Sequence, residues 1–118
     1  MPDSKSGPCV AVGHGVVGES GASTLILHQV TGKIQKLMVL RTTETNLCPN
    51  TGAVAVLVVN GKPQAHGDIT AQGSSIQTTA NPGEWVAAMV HTVPLFNDIA
   101  CKRLGNLSVQ LDQCDLVG

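Results

Sequence analysis

The chain has 118 residues, of which 42% are hydrophobic, 13% charged and 2% aromatic, a length that suits one compact domain around one core. The charged share is about half the roughly 25% usual in soluble domains, while the apolar share is ordinary and mean hydropathy slightly positive, which excludes intrinsic disorder. Seven Lys and Arg against eight Asp and Glu leave a formal charge of -1, and there are only one Trp, one Phe and no Tyr, so neither a strong field nor stacking platforms are available for nucleic acid or an anionic membrane.

Residues 1–22, MPDSKSGPCVAVGHGVVGESGA, are rich in Gly, Ser and Pro and show no apolar run behind a basic start. No secretory signal is read there, and the segment is expected to be a flexible N-terminal arm or connector to a domain over residues 23–118. STLILHQV (23–30), Thr31-Gly32-Lys33 and IQKLMVLRT (34–42) read as a hairpin with glycine in its loop, and TETNLCPNTG (43–52) as a loop. AVAVLVV (53–59) is the longest apolar stretch; it is too short to span a bilayer and reads as a central strand buried on both faces. Asn60-Gly61 accepts the positive φ that a type I′ turn needs at both central positions, so a hairpin into a strand over 66–71 should follow. SSIQTTA (74–80) and WVAAMVHTV (85–93) flank a turn at Asn81-Pro82-Gly83-Glu84, and Trp85 is expected to anchor the core. Residues 94–105 lack strict alternation and read as a long loop, a short helix or a further edge strand. NLSVQLD (106–112) sets Leu107, Val109 and Leu111 against Asn106, Ser108, Gln110 and Asp112, the signature of a half-buried strand.

Seven to eight short strands, with turn signals about every 8–12 residues, predict an all-β protein: a single antiparallel β-sandwich of jelly-roll or Ig-like type. The abundance of Val and Thr agrees, because β-branched side chains suit a pleated surface. With so few aromatics, the core has to be built from Val, Leu, Ile and Ala.

Four cysteines, Cys9, Cys48, Cys101 and Cys114, are spread along the chain with no C-x-x-C pair, which disfavours a zinc ribbon or a thioredoxin-type motif. Disulfides and reduced, buried thiols both fit that spacing. Of the histidines His14, His28, His66 and His91, no two stand at a ligand spacing. His66 and Asp68 lie two apart on a predicted strand and His91 on another, so a mixed site of His66, Asp68 and His91 is conceivable beside the plainer reading of surface or hydrogen-bonded histidines. Pairing Cys48 with His28 or Cys101 with His91 as nucleophile and base has no motif behind it, and Gly13-His14-Gly15 with Gly18 lacks the strand-to-helix context of a phosphate loop. No enzyme and no cofactor is predicted.

Three features combine into a structural subunit. Low charge weakens the repulsion that keeps monomers apart. The polar strand faces carry Ser75, Gln77, Thr79, Ser108 and Gln110 in place of the Lys and Glu that guard exposed edges. Cys9 near the start and Cys114 after the last strand permit bridges between subunits as readily as within one. In layout, with Cys9 in an N-terminal connector, PGEWVAAMVHTV (82–93) and GNLSVQLDQC (105–114), the chain resembles the subunits of endospore appendage fibres. It departs from their usual adjacent cysteines in the connector, and Cys48 and Cys101 have no clear counterpart. The resemblance implies a jelly-roll subunit that assembles with itself by strand augmentation, with disulfides from the connector.

The sequence therefore predicts a self-assembling, pilus-like structural subunit of a fibre or other surface assembly, with itself as partner and Cys9 and Cys114 as candidate intersubunit cross-links. Cys48 and Cys101 are further disulfide candidates. The alternative is a soluble binding module, metal-binding through His66, Asp68 and His91, and a third reading is a small enzyme with an unrecognised site. A cell or spore surface is the expected location, with the cytoplasm as the alternative.

Overall fold

A computed structural model describes residues 5–19, 21–94 and 105–117. The expected loop, helix or edge strand over 94–105 thus falls almost wholly outside the described residues, as does Cys101. Eight strands are present: β1 (Lys5–Gly18), β2 (Ser23–Gln29), β3 (Lys36–Thr45), β4 (Thr51–Val59), β5 (Lys62–Asp68), β6 (Ser75–Ala80), β7 (Trp85–Pro94) and β8 (Asn106–Val117). They form two four-stranded sheets in the orders β1-β8-β3-β6 and β2-β7-β4-β5, all neighbours antiparallel. Successive strands alternate between the sheets, except β4 and β5, and this wrapping is that of a jelly roll. The all-β sandwich is as expected, and the strand order selects the jelly roll over the Ig-like alternative. Among the described residues no helix is long and apolar enough to cross a membrane.

Local turn chemistry is followed closely. Asn60 has φ 49° and Gly61 φ 82°, the type I′ pattern, and they join β4 to β5 as a hairpin, although β5 begins at Lys62 rather than at 66. Across 81–84 the Glu84 amide donates to the Asn81 carbonyl at 3.1 Å, with Gly83 at φ 87° after Pro82, as a type II turn requires. The predicted hairpin of 23–30 with 34–42 does not form: β2 pairs with β7, and β3 with β8 and β6 in the opposite sheet. An apolar run signals a strand but carries no information about its partner.

The core is aliphatic, as the composition required. Met38 and Leu40 of β3 with Leu107, Val109 and Leu111 of β8 meet Ala55 and Leu57 of β4 with Val86, Ala88 and Val90 of β7. Two buried hydroxyls in this interior are satisfied: Thr42 donates to the Ile69 carbonyl, and Thr92 to the carbonyls of Gly18 and Ala22.

The flexible arm expected over 1–22 is corrected by β1, which pairs with β8 from Lys5↔Val117 to Gly18↔Asn106 with two register shifts. Its glycines have a packing role instead. Where β1 passes β2 at the corner of the sandwich, a Cβ on Gly13 would lie 2.3 Å from Ile26 Cγ2, and one on Gly15 would lie 3.1 Å from Thr24 Cγ2. Ile26 is β-branched and stiff at χ1, so it cannot simply turn away. Gly13→Ala should therefore cost about 1–3 kcal/mol in urea unfolding, as other forced insertions into packed interiors do; an unchanged midpoint would show that the corner can open.

Candidate functional site

The outer faces of the two sheets differ in character. On β1-β8-β3-β6 the outward positions include Ser75, Gln77 and Thr79 of the edge strand β6, and Arg41 Nε lies 3.0 Å from Asp112 Oδ2. Both ion pairs found among the described residues, Arg41–Asp112 and Lys36–Asp115, belong to this sheet. Asp112 is bonded a second time, Gln110 Nε2 donating to its Oδ1 at 2.6 Å.

The same sheet holds the first disulfide. Antiparallel pairing of the first and last strands sets Cys9 directly opposite Cys114, and the two are bonded within the chain with Cα atoms 4.0 Å apart. Their expected use as cross-links between subunits is corrected accordingly: both sulfurs are already committed, and Cys114 is buried. Cys48 is also disulfide-bonded and buried, with its amide donating to Glu19 Oε1 at 3.0 Å. It has no thiol to offer His28, whose Nε2 lies instead 2.9 Å from Gln113 Oε1. The same Gln113 oxygen accepts the Thr31 amide, and the Gln113 amide nitrogen donates to Thr31. His28 thus belongs to a bridge between the β2–β3 connection and β8, a structural role.

The outer face of β2-β7-β4-β5 is largely apolar across β2, β7 and β4 and polar along the edge strand β5. Cross-strand register builds it row by row. One row runs Leu25, Met89, Val56, His66; the row on one side runs Ser23, His91, Val54, Asp68; and the row on the other places Leu27, Ala87 and Val58 together. Leu25, Leu27, Met89 and Trp85 are 56, 60, 48 and 53% exposed. An open concavity of about 800 Å3 lies over the first two rows. Two expectations are corrected here. Trp85 is on this outer face rather than in the core, and β4 is buried on one face only, its even-numbered valines pointing outward.

The structure brings His66, Asp68 and His91 to the rim of this concavity but not to a common centre. Val54 stands between Asp68 and His91 in their row, so those two residues are two strand spacings apart, about 10 Å. Ligands must approach an ion to about 2 Å, and no group of three His, Cys, Asp or Glu among the described residues could hold one. Asp68 is engaged locally: the Thr70 hydroxyl and amide donate to its carboxylate and hold its pKa below the usual carboxylate range. His14 lies on the other sheet, opposite Gln110.

Sequence reasoning missed Leu25, Leu27, Val58 and Met89 as surface residues. The available signal was apolarity in both phases of the strands, which reads as burial on two faces when a single chain covers only one. Comparisons with protein-family models, with curated proteins and with solved structures find no match.

Proposed function

We propose that this protein is a self-assembling structural subunit, joined edge to edge with its own kind in a fibre or other surface assembly. The supporting observation is a pair of unguarded edges, one in each sheet. β2 (STLILHQ) and β6 (SIQTTA) are edge strands without a single Lys, Arg, Asp, Glu or Pro. The other edges do carry guards: β1 has Pro8, and β5 has Lys62, Pro63 and Asp68. Strands that present free N–H and C=O groups without such residues are templates for another chain. The wrapping of the jelly roll accords with the resemblance to endospore appendage subunits, and disulfide bonding suits an oxidising surface location. Covalent linkage through Cys9 and Cys114 is not part of this reading, because that bond closes within the chain.

Negative-stain microscopy and sedimentation of the purified chain test it. Ordered polymers are expected, and Gln77→Lys with Thr79→Lys on β6 should reduce the polymerised fraction at least about tenfold by restoring the charge that guards an edge. Uniform single particles at every concentration would refute edge-to-edge assembly.

A further inference from the structure

We infer that the apolar outer face of β2-β7-β4-β5 is covered, in solution, by the same face of a second copy of this chain. The contact is face to face and lies apart from the strand edges, so it stands whether or not the edges polymerise.

The first support is the mismatch in β4. Its sequence, TGAVAVLVV, has the near-continuous apolarity of a strand covered on both sides, yet the fold covers only Ala53, Ala55, Leu57 and Val59. β2 and β7 repeat the pattern, with Leu25 and Leu27 outside around Ile26 inside, and Met89 outside between Ala88 and Val90. On these three strands the outer face therefore has the residue types of an inner one and lacks a second layer.

Area is the second support. Seven paired residues at about 3.4 Å and four strands at about 4.8 Å span roughly 24 by 19 Å, or about 450 Å2 of projected face per copy. Two copies together bring about 900 Å2 before side-chain relief is added, with the polar strand β5 as its rim, which approaches the roughly 1,000 Å2 of a specific interface. A monomer seldom leaves a contiguous apolar patch of several hundred Å2 open.

Charge decides the occupant. Across the rows from Leu25 to His66 and from Ser23 to Asp68, Asp68 is the sole carboxylate and no Lys or Arg occurs; Lys62 stands at the far end of β5, so these central rows have no charge pattern by which a different partner would be read. It is complementary to its own apolar character, and a net charge of -1 opposes pairing only weakly. A two-fold contact would set the two sheets about 10 Å apart, as in any sandwich. Trp85 and Met89, the largest outward side chains of the central strand β7, are its anchors.

The experiment uses the full chain, both wild type and with Gln77→Lys and Thr79→Lys, so that failure of edge assembly is read separately from failure of the face. Sedimentation equilibrium is run from about 1 to several hundred micromolar, alongside the emission of Trp85, the single tryptophan. A dimer is expected in the edge variant, with Trp85 emission shifting to the blue as concentration rises. Met89→Glu and, separately, Val56→Lys should raise the dissociation constant about 30-fold or more, the scale of an interface hot spot. Circular dichroism melts at low concentration show whether each variant is folded. An edge variant that stays monomeric with constant Trp85 emission overturns the inference, as does a dimer indifferent to both face substitutions. Saturable one-to-one binding of a fatty acid to a monomer would assign the face to an apolar ligand and overturn it equally.

Discussion

Replacing Cys9 and Cys114 together by alanine is expected to destabilise the fold by about 3–5 kcal/mol. The bond closes a loop with a sequence separation of 105, and in the chain-entropy account a loop of about 100 residues is worth close to 5 kcal/mol. Local structure adds to that. β1 is an edge strand with Pro8, several glycines and two register shifts against β8, so its backbone ladder is interrupted and the covalent link secures what pairing alone holds loosely. Cys114 is buried, and alanine is the substitution that leaves no unpaired polar group there. At about 4 °C per kcal/mol for a domain of this size, the melting temperature should fall by roughly 12–20 °C. The double variant is a cleaner test than a reductant, which would also attack the bond made by Cys48. A fall under about 5 °C would mean that the β1–β8 ladder is sufficient by itself.

Much of the fold was legible because its signals are local. Asn60-Gly61 and Pro82-Gly83 dictate backbone angles within two residues, and Leu107, Val109 and Leu111 alternate within one strand. Pairing is a long-range property. Nothing in 23–42 reveals that β2 goes to β7 and β3 to β8, and nothing near Cys9 reveals that Cys114 lies opposite. The N-terminal glycines misled for a related reason: composition that suits a mobile arm equally suits a strand passing close to a neighbour, and only Ile26 at the corner distinguishes them. At the candidate site, the separation of two between His66 and Asp68 did place both outward, but the strand between Asp68 and His91 was invisible from spacing.

The one-sided burial of β4 gives the second large effect, as a contrast between neighbours. Leu57 is fully enclosed among the core residues of both sheets, and Leu57→Ala should cost about 2–5 kcal/mol from lost transfer energy and the cavity left behind. Val54, three residues away on the same strand, points outward, and Val54→Ala should cost under about 1 kcal/mol in the isolated chain, mostly in strand propensity. Urea unfolding of both variants at low protein concentration checks the pair. Equal losses would place β4 between two covered faces even in the single chain, as its sequence alone suggests. Repeating the melts at high concentration separates the two positions further. A partner that binds only the folded chain adds stability by mass action, so the deficit at Val54 should widen as concentration rises if that face is covered by a second copy. Leu57 lies on the other side of the sheet, where the layer is supplied by its own chain, and its deficit should change much less with concentration.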